Sequence, residues 1–362
     1  MPLFQDFWNK ISQSPSYKPA QITINPMNTD KTDLLAKPFK RYEQYFLVRV
    51  NEMYLSYKRK WLSEYDPIVF VVSEFMYDGE KVSVPYVVGP SMLNNKLDKV
   101  PEGMIFKDTI VAGLHPFGGG EFAVSVVLAR MRQKDYLRKM LKVIENISGT
   151  YQNGFATMVN QYIKVANVVV DGIDSLLDTE DVEPIIGFRK SFHSDVDNFT
   201  PGYFALVNKD ELQVKEDNFF IKNNSLFYGD SKENLEEHRK DDYVLYSIMS
   251  APTRSDYESL AFHKQWQEIG KTIGDMRELD QDNKDIINGK LFSLQAFIEN
   301  SPDLTRNQAE ERIDFYLAEV EKIIARRSKR LSGDSAVIES QPETDEWKNK
   351  MKELSLKILR SK

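Results

Sequence analysis

The chain has 362 residues, of which 41% are hydrophobic, 12% aromatic and 28% charged, with a formal net charge of −7 and no cysteine. That length exceeds one ordinary core, the balance is globular, and the negative charge argues against a surface that coats nucleic acid. The missing cysteine excludes disulfides, zinc–thiolate and iron–sulfur ligation, and thiol nucleophiles.

Residues 1–40 read as an N-terminal helix followed by an extended arm. Phe4, Phe7, Trp8 and Ile11 recur at helical spacing. No cationic start leads into an apolar run and a cleavage site, so the expected compartment is the cytoplasm. Residues 12–40 are rich in Pro, Ser, Asn and Thr and show no periodicity. Strands are expected over residues 45–50, 67–77 and 81–88, the last two joined by a tight turn at Asp78-Gly79. A further strand pair is expected at 104–115 and 121–131, joined through Pro116-Phe117-Gly118-Gly119-Gly120.

Two helices follow. Leu137, Met140, Leu141, Ile144 and Ile147 fall on one face of the first. Residues 155–177 keep the i, i+3, i+4, i+7 spacing of the second, which predicts a helical hairpin over 133–178. This is the most apolar stretch, yet Lys164, Asp171 and Asp174 interrupt it, and no segment reaches the roughly 20 apolar residues of a membrane span. Strands resume at 184–192, 203–207, 219–221, 226–228 and 243–249, with Asn223-Asn224 as a two-residue turn.

After Pro252 the pattern is helical. Leu260, Phe262, Trp266 and Ile269 mark one helix, and residues 286–298 a second. Thr305 with Gln308 is a capping-box spacing for a third, whose stripe runs through Ile313, Tyr316, Val320 and Ile324. The expected class is α+β: an antiparallel β-sandwich-like body over 41–254 with the hairpin inserted, and a helical subdomain over 255–330.

The C-terminal end changes character twice. Residues 331–346 hold Asp334, Glu339, Glu343, Asp345 and Glu346 without Lys or Arg, which predicts a flexible acidic linker. Residues 347–362 are basic, and Trp347, Met351, Leu354 and Ile358 form one apolar seam. They are assigned as partner-binding residues of a docking helix, in cis or in trans, with Trp347 as anchor.

Chemical motifs are sparse. There is no G-x-x-x-x-G-K-[ST] and no H-E-x-x-H, so no catalytic residue, cofactor or metal is assigned. The fallback constellation is His115 with Glu121 and Asp108, because His115 ends a strand beside the glycine run. Asp171, Asp174, Asp178, Glu180 and Asp181 read as a solvated helix end rather than a cation site. Arg326, Arg327, Lys329 and Arg330 read as the complement of a helix dipole.

Several stretches together resemble a group of uncharacterised bacterial proteins over residues 40–330. They are Met104-Ile105-Phe106-Lys107-Asp108-Thr109 leading into Val111-Ala112-Gly113-Leu114-His115-Pro116, then Pro201-Gly202-Tyr203-Phe204-Ala205-Leu206, then Val244-Leu245-Tyr246-Ser247-Ile248 with Arg254-Ser255-Asp256. The resemblance implies a link to multi-component antiviral defence systems; it attaches no activity, so no functional residue carries over. The expected function is a non-enzymatic interaction or assembly component of a bacterial multi-protein system, working with proteins encoded nearby. Nucleic acid is not an expected partner, while the basic C-terminal helix suits an anionic membrane surface. The alternatives are an enzyme whose site is assembled from loops near His115, and a peripheral lipid-binding β-sandwich.

Overall fold

The computed structural model describes residues 18–35, 37–56, 59–60, 63–89, 109–149, 159–194 and 199–332. The body contains β1 (Pro19–Thr23), β2 (Tyr45–Tyr54), β3 (Arg59–Lys60), β4 (Ser63–Tyr77), β5 (Glu80–Val88), β6 (Thr109–Pro116) and β7 (Glu121–Arg132). The helical hairpin α1 (Asp135–Gly149) and α2 (Val159–Leu177) follows. Then come β8 (Val182–His193), β9 (Gly202–Asp210), β10 (Phe219–Lys222), β11 (Ser225–Ser231), β12 (Asn234–Glu237) and β13 (Tyr243–Ala251). The chain ends, among the described residues, in α3 (Ala261–Asp275), α4 (Gln281–Glu299) and α5 (Arg306–Ser332).

Among the described residues every strand pairing is antiparallel, and the class is α+β. One sheet runs β1-β9-β13-β2-β6; a second runs β3-β4-β7-β8 with β5 also on β4; a small third runs β10-β11-β12. The two large sheets face each other: Phe46 of β2 meets Phe75 of β4 at 4.9 Å and Phe122 of β7 at 4.9 Å, both edge-on. Alternation along a strand would leave the opposite face of β4 wet. Instead Ile68, Val69, Phe70, Val71 and Val72 are all buried, because α1 and α2 cover that second face and share its core. On the outer side of the first sheet, Tyr203, Ala205 and Leu245 join Phe219, Ile221 and Leu226 of the small sheet in another core. The layers are therefore helical hairpin, sheet, sheet, small sheet. α3, α4 and α5 pack around a core of their own, built on Phe262, Ile269, Leu291, Ile298, Tyr316 and Val320.

The turn chemistry follows the residues. Asp78 and Gly79 take φ of 51° and 79°, and Asn223 and Asn224 take 53° and 61°, the left-handed pair that a two-residue hairpin needs. The expected β6–β7 pair is corrected. β6 pairs with β2 in the first sheet, whereas β7 lies between β4 and β8 in the second. The connection crosses between layers with Phe117 buried and with Gly119 and Gly120 at φ of 76° and 74°. Residues 122–129 of β7 are buried throughout, which requires a central strand covered on both faces. The arm also differs from its featureless reading, since Pro19–Thr23 adds an edge strand with Ala20 and Ile22 buried. Residues 1–17, 104–108 and 333–362, with the N-terminal helix, Asp108 and the acidic and basic tail segments expected there, lie outside the described residues. Among the described residues, no helix is long and apolar enough to cross a membrane.

Candidate functional site

A group of buried polar side chains sits where the helical bundle meets the sandwich. Arg254, just beyond β13, forks onto the Asp256 carboxylate through Nε and Nη2, both at 2.7 Å. Its Nη1 donates to the carbonyl oxygens of Asp303 (2.9 Å) and Leu114 (3.4 Å). Its backbone N–H donates to Gln308 Oε1 at 3.0 Å, and Gln308 Nε2 donates to the Tyr257 hydroxyl. From β4 the Tyr77 hydroxyl donates to Asp303 Oδ1 at 2.9 Å. From β2 the Tyr45 hydroxyl accepts the Thr305 N–H at 3.0 Å. The capping-box residues are thus redirected: Thr305 N–H and the Gln308 side chain bind the sandwich and its exit loop instead of each other.

His115 lies at the same seam, 1% exposed. Its ring stacks on Phe75 at 5.0 Å and meets Tyr77 edge-on at 5.6 Å. Burial pushes its pKa down to about 3, with the Arg254 charge acting in the same direction, so the imidazole is neutral at physiological pH. Burial pushes the Asp303 carboxyl up, against the hydrogen bond from Tyr77 and the charge of Arg254. Its Oδ2 has no hydrogen-bond partner among the described residues. Burial is the largest influence on Arg254 and opposes its charge, but the Asp256 fork together with the charges of Asp303 and Tyr45 raises its pKa overall, while the same fork lowers that of Asp256. A general base must reach its substrate. His115 is instead enclosed by rings, and the arrangement orients the bundle on the sandwich.

Glu121 points elsewhere. It shares one face of the second sheet with Glu74, Lys81 and Arg189, whereas His115 stacks on Phe75 of the opposite face. Lys81 Nζ lies 2.8 Å from Glu121 Oε2, and Arg189 Nη2 lies 3.3 Å from Glu121 Oε1 and 2.6 Å from Glu74 Oε2. The hydrogen bond from Lys81 and then the Arg189 contacts hold the Glu121 pKa below its ordinary value. His115 and Glu121 are therefore not brought together, and Asp108 belongs to the undescribed stretch. So do Trp347, Met351, Leu354 and Ile358. Of the acidic run, Asp181 receives Lys134 Nζ at 2.6 Å, Arg132 Nη1 at 3.3 Å and the Tyr136 hydroxyl at 2.9 Å. No metal-holding cluster occurs among the described residues.

A second buried charge joins the small sheet to the first. Glu52, wholly buried, accepts the Leu226 N–H at 2.8 Å and Arg239 Nη2 at 2.9 Å. Beside it His238 lies against Phe219 and Tyr243, and burial pushes its pKa down to about 4. Sequence reasoning missed both seams. Arg254, Asp303, Glu52 and Arg239 occupy no recognisable spacing, and only a charged residue flanked by buried strands could have signalled them.

Fold and seams together define an α+β protein: a layered antiparallel sandwich that carries a separate helical bundle on a polar junction. Comparison with protein-family models, with curated proteins and with solved structures finds no match.

Proposed function

We propose that this chain is a non-enzymatic interaction component of a bacterial multi-protein assembly, with the sandwich as scaffold and the helices as contact surfaces. The observation that carries the reading is where large apolar side chains stay exposed. Tyr136 and Val143 of α1, Ile286, Phe292 and Phe297 of α4, and Phe315 of α5 all face solvent, although each helix already buries an apolar stripe. Exposed aromatic groups on rigid helices are the material of protein interfaces. The basic segment 347–362, with Trp347, Met351, Leu354 and Ile358 at helical spacing, has the sequence pattern of a docking helix that orders in a partner's groove. The resemblance to defence-associated bacterial proteins makes the products of adjacent genes the first partners to test. Co-expressed with them, the chain should co-elute in a defined complex, and Phe292→Ser with Phe297→Ser or Trp347→Ser should weaken it. A chain that elutes alone with every neighbour would overturn the reading.

A further inference from the structure

α5 presents two faces. Its inner stripe, including Tyr316 and Val320, fills the bundle core. Its outer face carries a second seam of Glu311, Phe315, Ala318, Lys322, Ala325 and Lys329, all exposed, at alternating steps of 4 and 3 residues. Positions so spaced line one side of the helix, where Phe315 and two alanines alternate with three charged residues. Phe315 is 45% exposed in this seam, with the Arg312 guanidinium 4.9 Å from its ring, and Ala318 and Ala325 further along leave room for a close approach. Charge is divided along the same face. Glu310, Glu311 and Asp314 precede the midpoint, and Arg326 and Lys329 follow it. A helix dipole favours such an order only in the first and last turns. Asp314 and Arg326 lie in the helix interior, beyond the first turn and before the last, so the dipole does not account for them.

We propose that this outer face of α5 pairs antiparallel with the same face of a second copy, about a two-fold axis beside Val320. In that register Glu311 faces Lys329 of the other copy, Phe315 seats over Ala325, Ala318 lies beside Lys322, and Asp314 and Arg326 share a level on opposite edges, so that the acidic half lies along the basic half. Each contact is made twice, as an isologous interface requires. A parallel pairing would set acid against acid and base against base. The occupant is therefore a second copy, selected by the chain's own charge order. The seam from residue 310 to 329 is about 30 Å long, which makes a small interface and a weak, salt-sensitive dimer. This pairing goes beyond the proposed partner binding: it needs no other protein, and either can fail without the other.

Sedimentation equilibrium of the full chain, up to roughly 100 μM, tests it. The expected result is a monomer–dimer equilibrium that weakens as salt is raised. Glu311→Lys with Asp314→Lys should abolish the dimer, as should Arg326→Glu with Lys329→Glu. All four substitutions together should restore it, because the charge order is then reversed on both copies. A wild-type chain that stays monomeric overturns the proposal, and so does a folded fourfold variant that fails to dimerise. The absence of cysteine allows a geometric check with single spin labels at Asn307→Cys or Ser328→Cys. Antiparallel pairing predicts label separations of about 40 Å and about 25 Å, whereas equal short distances at both positions would show a parallel dimer and overturn the proposal.

Discussion

Two helical parts of this molecule are attached to the same sandwich by different physics. The hairpin α1–α2 shares one continuous apolar core with both large sheets: Leu137, Leu141, Val169, Ile173 and Leu176 are buried with the strands beneath them. The bundle α3–α5 closes its own core and meets the sandwich through hydrogen bonds and ions, centred on Arg254, Asp303, Tyr77 and Tyr45. Apolar burial is nondirectional and adds up over area, so it makes the hairpin a layer of the body. A polar junction is directional, so it specifies the orientation of the bundle and depends on each partner being present.

The largest expected effect comes from breaking the layer. Ile173→Asp places a charge without a partner in the shared core, at a cost on the order of 5 kcal/mol. It should lower the melting temperature of the whole body and collapse its hydrogen-exchange protection. A melt close to wild type would mean that the hairpin is not integral.

Arg254→Met should cost about 3 kcal/mol, because it removes the charged donor to the buried carbonyl of Asp303, while the exposed Asp256 carboxylate returns to water. The loss should be local. Hydrogen exchange should quicken in α3–α5 and at the seam while the amides of β4 and β7 stay protected. Uniform loss across the molecule would show that the junction is not separable from the body.

A pH titration sharpens the contrast from the hairpin side. Glu145 of α1 is buried against Gly89, and burial pushes its pKa up to about 7 from an ordinary 4.5. The folded state then holds a proton that the unfolded state has released, so stability falls as pH rises from 4.5 to about 7 and is level above. The lost stability is about 3 kcal/mol, and Glu145→Gln should remove that slope and be the more stable protein at pH 8. Denaturant melts at pH 5 and pH 8 measure it; parallel slopes for the two proteins would remove Glu145 as the cause.

The smallest effect is expected at the surface. Glu121→Gln loosens an exposed ion cluster and should change stability by less than about 1 kcal/mol. A larger loss by the same melts would mean that the Glu74–Arg189–Lys81 group carries structural weight that its exposure does not suggest.

Much of the architecture was legible along the chain. The hairpin announced itself through the spacing of Leu137, Leu141 and Ile144, and the tight turns through Asp78-Gly79 and Asn223-Asn224, because periodicity and left-handed turn residues are local properties. The partner of β6 was not, since a loop of Pro116 to Gly120 suits a hairpin as well as a crossing between layers. Nor was the strand at Pro19–Thr23, whose five residues are too few to show a period. The candidate site was legible only in part. His115 stood out beside a glycine loop, but its environment is made by Phe75, Tyr77, Arg254 and Asp303, which are brought together only when the layers stack.

The sequence by itself determined the α+β class, the helices and the hairpin turns, because these depend on neighbours within a few residues of one another. Tertiary structure alone decided which sheet each strand joins and which charges are buried. It also decided that Glu121 and His115 look away from each other across one sheet. Those outcomes depend on residues far apart in the chain that meet only once apolar faces have closed, where burial and not spacing sets the state of each charge.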